Sequence, residues 1–308
     1  MAAHAIWKHK LLNSWWLFAL ISVPMCAFII FESLATDLTA GEGVSHMIGY
    51  SVRWGIPFIY LVVAASSFNI LFPGPFSKWW VRNRKFIGLC FAVAMFWQGL
   101  YIFIISTVFR DYYFESVYYF RDELEGTVGY VFLAFMVLTS FEIGRRRVNP
   151  LQWKLIQKGG VYFLWAYPFS VYWWNLFYYP TLEGYSAPDP HDYVLYWTGF
   201  AAFALRIFAW GKRRSQKNAS GVHGVETPTP MKGIGYLLVL FGLYAATNGD
   251  IWQKTATSLL TESQYTAISD LVLWLPFWPL EPFLPLLIMA LGIQLATSRP
   301  RTSELQAA

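Results

Sequence analysis

The sequence predicts an all-α polytopic membrane bundle of about eight transmembrane helices, and three observations carry that prediction. Hydrophobic residues make up 56% of the 308 positions and charged residues only 13%, against about a quarter charged in soluble domains. The apolar residues arrive in blocks long enough to match a hydrocarbon core of about 30 Å, which takes roughly 20 helical residues. Lysine and arginine collect in alternate loops between those blocks. Lipid offers the backbone no hydrogen-bond partners, so the blocks must be helices unless a barrel forms. Short alternating segments of the kind a barrel needs do not dominate.

Taken in order, the predicted spans are 15-32, 51-71, 86-108, 127-143, 159-178, 192-210, 233-247 and 271-296. The first block, Trp15 to Phe31, is followed by Glu32 and Ser33 and then by another spanning block, without a small-residue cleavage site. It therefore reads as a retained helix rather than a signal. In the last block Pro276, Pro279, Pro282 and Pro285 recur every third residue, a spacing that cannot continue a regular helix without strain. The final crossing is expected to begin near Pro282, with Glu281 at its amino end, where a carboxylate suits the helix dipole. Between Thr255 and Asp270 an amphipathic segment reads as lying along the outer membrane surface. A polar stretch rich in Ser, Gly, Thr and Pro reads as a flexible linker. The expected organisation is a bundle over 1-210, a linker over 211-232 and a helical pair over 233-308.

Orientation follows from the cations. One set of loops carries Lys8 and Lys10, then Lys78, Arg82, Arg84 and Lys85, then Arg145 to Arg147 with Lys154 and Lys158. It continues with Lys212, Arg213, Arg214, Lys217 and Lys232, and ends with Arg299 and Arg301. The positive-inside rule places these loops, and both termini, in the cytoplasm. The opposite loops hold most of the acids, including Asp37, Glu42, Asp111, Glu115, Asp122, Glu123, Glu125, Asp189, Asp250 and Glu262. The formal charge of +5 is then explained by anionic lipid at one membrane face, with no nucleic-acid partner. The aromatic and acidic outer loop from Arg110 to Glu123 reads as an interfacial belt or as a ledge for lipid or a membrane protein partner.

The chemistry-bearing residues are few. Cys26 and Cys90 fall inside spans and read as structural thiols. None of the five histidines lies in mid-span; His46 and His191 sit beside outer helix ends and form no recognisable metal spacing. No phosphate-binding glycine loop, nucleophile elbow or nucleotide domain is present. Buried polar groups in lipid are expensive and often functional, which singles out Gln98 and Ser170, expected at similar depth and facing one another.

His46-Met47-Ile48-Gly49 with the apolar helix after it, and Arg82-Asn83-Arg84-Lys85-Phe86-Ile87-Gly88 opening the next, resemble the ferric-reductase-like transmembrane family. Thr139-Ser140, the basic loop with Trp153, Val161-Tyr162 and Pro168 extend the match over roughly residues 15-178. The pattern is most similar to the branch containing the haem-binding membrane subunit of the bacterial periplasmic methionine sulfoxide reductase system. That resemblance implies a six-helix front, an added pair of C-terminal helices and a place in a bacterial inner membrane.

It also implies three haem-ligand histidines, and this chain has Gln98, Gln157 and Ser170 in their places. Glutamine and serine are poor ligands for haem iron, so no transmembrane haem is expected. Phe96, Trp97, Tyr101, Trp165, Tyr167, Phe169 and Tyr172 cluster around these positions. They either fill a vacated pocket, whose emptiness is costly, or reflect general aromatic content. Three functions stay open. The leading one is a non-haem subunit or scaffold of an envelope redox system. The second is an electron-transfer protein with flavin or quinone held at Arg82, Arg84 and Lys85, cations that read otherwise as contacts to lipid phosphate. The third is a carrier of a small ligand.

Overall fold

The computed structural model describes residues 6–184, 187–219, 227–262 and 280–298, and no strand occurs among them. In chain order the helices are α1 (Ser14–Ala35), α2 (Gly41–Leu71), α3 (Pro75–Val108), α4 (Phe120–Ser140) and α5 (Pro150–Phe177). They continue with α6 (Pro190–Ala219), α7 (Thr229–Thr247), α8 (Gly249–Glu262) and α9 (Leu284–Ala296). Six of them, α1 to α4, α6 and α7, are long and apolar enough to cross a membrane, so the chain has the helices of a multi-pass membrane protein. α5 has the length, at 28 residues, but Lys154, Gln157 and Lys158 dilute its first turns. Glu281–Ala296 is a shorter apolar segment.

Each expected span overlaps a helix, the last over Leu284–Ala296 with 271–279 outside the described residues, and most helices begin earlier than the apolar stretch inside them. α2 starts at Gly41 rather than 51, because Gly41, Val44, Met47 and Ser51 form a buried stripe at helical spacing ahead of the continuous apolar run. α3 starts at Pro75 rather than 86. Pro75 supplies a preset φ at the first helical position, and the Ser77 hydroxyl accepts from the Gly74 amide at 2.9 Å. The Arg82 to Lys85 stretch therefore lies inside a helix and is not a turn. Glu281 does stand at the amino end of the last helix, in a 3-10 turn Glu281–Phe283, and its side chain is fully buried. The expected surface segment from Thr255 is helical as far as Glu262; its remainder lies outside the described residues.

Two compact units divide the described residues. One comprises 6–69 and 73–169; the other comprises 70–72, 170–184, 187–219, 227–262 and 280–298. The divide falls within α5 and not at 211-232, and α6 runs on as helix to Ala219 through what reads as linker composition. Residues 220–226 of that linker lie outside the description.

In the first unit, Met25 and Ile29 of α1, Val44 and Met47 of α2, and Ala94, Tyr101 and Ile105 of α3 form one buried cluster closed by Tyr113. Tyr113 donates to Glu123 at 2.5 Å, and burial with that acceptor pushes its phenol pKa up. In the α1–α2 connection Asp37 accepts from the Thr39 hydroxyl and amide at 2.6 and 2.9 Å, bonds that hold its carboxyl below the usual range. The amino-terminal segment is fastened to α3. Trp79 donates to the Leu12 carbonyl at 2.7 Å, and the Asn83 amide oxygen accepts from the Ser14 amide at 2.9 Å.

In the second unit α7 and α9 pack antiparallel. A Cβ at Gly235 would lie 2.5 Å from the Gly292 carbonyl oxygen, and one at Gly242 would lie 2.6 Å from Met289 and 2.7 Å from the Pro285 carbonyl oxygen. Small residues let backbones approach where lipid supplies no hydrophobic drive between helices. Tyr196 of α6 donates to the Ala246 carbonyl at 3.0 Å, and the Trp173 and Trp252 rings meet at a tilt of 43°, centroids 5.6 Å apart. Two cations cap helix ends, as the dipole favours: Lys212 donates to Ile70 O at 2.8 Å and Arg214 to Thr297 O at 3.3 Å.

Candidate functional site

The first unit contains a cleft of about 570 Å³ walled by α2, α3, α4 and α5 and by the turn after α4, a volume within the roughly 300–1,000 Å³ of small-molecule pockets. Four of the sequence-predicted residues line it together: Arg82, Arg84, Lys85 and Gln157. Arg145, Glu142 and Trp153 join them at the polar end. Ile59, Val62, Leu89, Leu133, Val161 and Leu164 make the apolar floor.

Helical spacing explains the grouping. Gly88 and Leu89 follow the basic residues by one turn on α3, and Val161 and Leu164 follow Gln157 at intervals of four and three on α5. Gln157 is fixed by two bonds from its amide nitrogen, to the Met136 carbonyl and the Thr139 hydroxyl, each 3.0 Å. Trp153 donates to the Thr139 carbonyl at 3.2 Å. All three bonds join α5 to the end of α4.

The cations are held differently from one another. Arg82 donates to Asn13 Oδ1 at 2.6 and 3.2 Å and to the Trp7 carbonyl at 2.8 Å, which makes it a clamp on the amino-terminal segment. Arg84 donates to the Ser66 hydroxyl at 3.0 Å. Lys85 stands 4.8 Å over the Phe141 ring, and Arg145 stands 4.7 Å over Trp153. The carboxylate of Glu142 pairs with Arg146.

Gln98 lies outside this cleft. Its amide oxygen accepts from the Tyr130 hydroxyl of α4 at 3.0 Å, a partner the sequence reading did not foresee when it paired Gln98 with Ser170. Ser170 is buried and belongs to the second unit. Of the surrounding aromatics, Tyr101, Trp165, Phe169 and Tyr172 are buried, whereas Phe96 is 68% exposed. Neither glutamine offers an iron ligand, since one amide is spent on α4 and the other accepts from a phenol. The residues present do not fit haem.

The cysteines are free thiols, and Trp97 donates to Cys26 Sγ at 3.4 Å. His46 and His191 each find a carboxylate in their own unit: His46 with Glu32 at 3.1 Å, and His191 with Asp192 at 3.1 Å and Asp189 at 3.8 Å. Asp189, His191 and Asp192 bring potential metal ligands within 4.8 Å of one another, a grouping legible only as Asp-Pro-His-Asp. Asp192 is already engaged there, accepting from the Asp189 amide at 3.2 Å across the start of α6.

Comparison with protein-family models, curated proteins and solved structures finds no match for this chain.

Proposed function

We propose that this chain is a haem-free, ferric-reductase-like subunit or scaffold of a bacterial cytoplasmic membrane, working within an envelope redox system, with both termini cytoplasmic. One observation carries the reading. Two positions where the family would place haem histidines hold glutamines that tie neighbouring helices together, Gln157 joining α5 to α4 and Gln98 joining α3 to α4. Side chains used as interhelical struts preserve a bundle's shape after its cofactor chemistry has gone. Such bonds are worth about 0.6 kcal/mol each on average in membrane bundles, enough to set helix register but not to hold the fold alone.

A second reading, electron transfer through quinone or flavin, is favoured by the cleft, which joins an apolar floor to cations suited to a phosphate. One measurement separates the two. The purified protein is expected to show no Soret band, and its organic extract no flavin or quinone at stoichiometric level. A Soret band overturns the haem-free reading; stoichiometric flavin or quinone replaces the scaffold with the second.

A further inference from the structure

We propose that the cleft of the first unit binds one anionic phospholipid, with its phosphate between Lys85 and Arg145 and one acyl chain along the apolar floor. The site stands on its own geometry, whether or not the chain serves a redox system.

Charge comes first. Four cations and one carboxylate line the cleft, and that carboxylate, Glu142, is already paired with Arg146. Arg82 is engaged by Asn13 and the Trp7 carbonyl, and Arg84 by Ser66. Lys85 and Arg145 stand over aromatic rings, Arg145 also donating to the uncharged Val148 carbonyl at 3.3 Å, and neither enters an ion pair among the described residues. A ring face fixes a cation's position without cancelling its charge. The mouth therefore presents two located positive charges to an incoming anion. A phosphate suits them, because a guanidinium bonds two of its oxygens at once while an ammonium adds a point charge.

Shape then selects the lipid over a soluble phosphate. From Trp153 at the mouth to Leu164 on the floor, the lining follows α5 for about 16 Å at 1.5 Å per residue. That length is about one leaflet's share of a 30 Å hydrocarbon core. Gln157 is the polar residue along this stretch and its amide nitrogen is engaged by α4; Ile59, Val62, Leu89, Leu133, Val161 and Leu164 place no charged side chain on the floor beyond it. A free phosphate would occupy the mouth and leave the floor unfilled; an acyl chain fills it.

The test uses the full chain in detergent, offered phosphatidylglycerol and phosphatidylcholine with the same acyl chains, and native mass spectrometry to count retained lipid. Phosphatidylglycerol should be retained at least tenfold over phosphatidylcholine. Combined Lys85→Gln and Arg145→Gln should lower its retention about 25-fold, at roughly fivefold per cation near a membrane surface. Arg147→Gln, an exposed cation outside the lining, should leave retention unchanged. Val137→Trp, which narrows the cleft but keeps every cation, should also abolish it. Monodisperse elution and unchanged helical circular dichroism qualify each variant. If the double variant aggregates, Lys85→Gln alone carries the test with its fivefold loss. Equal retention of the two lipids, or retention that ignores the cation changes, overturns the proposal. So does displacement of the lipid by flavin mononucleotide or by inorganic phosphate, which would assign the mouth to a soluble anion.

Discussion

Ser14 opens α1 with φ at 58°, a left-handed backbone that costs a residue carrying a Cβ about 1 kcal/mol or more. Asn83, 1% exposed, holds that start in place: its oxygen accepts from the Ser14 amide and its nitrogen donates to Asn13 Oδ1 at 3.0 Å. Two substitutions should therefore move stability in opposite directions. Asn83→Ala removes a buried amide with its bonds to Ser14, Asn13 and the Trp79 carbonyl and leaves the Ser14 amide without its acceptor, while Asn13 Oδ1 keeps Arg82; it should destabilise the protein by about 1–2 kcal/mol. Ser14→Gly relieves the backbone without removing any side-chain bond and should stabilise it by about 0.5–1 kcal/mol. Thermal unfolding in detergent reads both, and a Ser14→Gly protein less stable than its parent would refute the account. This scale is also where the sequence was least legible. Reading the Arg82 to Lys85 stretch as one phosphate-binding group missed that Arg82 clamps Asn13, a partner 69 positions away. Periodicity and spacing carry no information about such pairs. Gln98 and Tyr130 escaped for the same reason, and so did the cavity that Arg84 and Lys85 of α3 share with Gln157 of α5, since spacing groups residues on one helix and not across two.

At the scale of elements, hydropathy located α1 to α7 and α9 but few of their ends, and α8 begins at Gly249, ahead of the amphipathic segment expected from Thr255. An apolar window marks where a helix meets hydrocarbon. The helix itself ends where its backbone groups find caps, and those lie in polar sequence such as Gly74 to Ser77. α4 shows the difference, beginning at Phe120 with Asp122 and Glu123 in its first turn, where carboxylates favour a helix start, rather than at the expected 127. The α7–α9 seam was not foreseen either, although Gly235 and Gly242 stand one heptad apart and Gly292 faces the first of them. Its prediction is a contrast among glycines of one helix. Gly235→Ala places a methyl 2.5 Å from a carbonyl oxygen, and Gly242→Ala places one 2.7 Å from another. Backbone cannot step aside as a flexible side chain does, so each should destabilise by about 1–3 kcal/mol. Gly233→Ala meets nothing within 4 Å and should be neutral or gain up to about 1 kcal/mol from helix propensity. Denaturant titration of the three variants tests the seam, and equal effects would mean that α7 and α9 do not approach so closely.

For the whole molecule, the membrane-crossing class was legible because it depends on composition and block length, which the bilayer imposes on any sequence. The compact division was not, since it falls inside α5 where neither composition nor charge changes. Sidedness rests on the alternation of loop charge. Between α2 and α3 the chain turns over at 72–74, and between α4 and α5 at 141–149; cations flank both turns, Lys78, Arg82, Arg84 and Lys85 at the first and Arg145 to Arg147, Lys154 and Lys158 at the second. The connections at 36–40 and 109–119 hold Asp37, Asp111 and Glu115 against the single cation Arg110. A reporter joined after Gly74, after Val148 or within 220–226 should therefore read cytoplasm. One joined after Thr39, after Tyr118 or after Asn248 should read the opposite side. Each of these sites lies between helices, so a fusion there does not cut a span and its readout reports the preceding crossings alone. Because each crossing reverses the next, an inverted reporter after Val148 with a correct one after Gly74 would mean that α3 and α4 do not both cross. Charge substitution supplies an independent check: replacing Arg145, Arg146 and Arg147 together with Gln removes about 1 kcal/mol of attraction per cation to an anionic surface. That change should produce a mixed readout after Val148 while leaving the reporter after Gly74 unchanged. A readout that stays wholly cytoplasmic would show that the arginines do not set the orientation of α4.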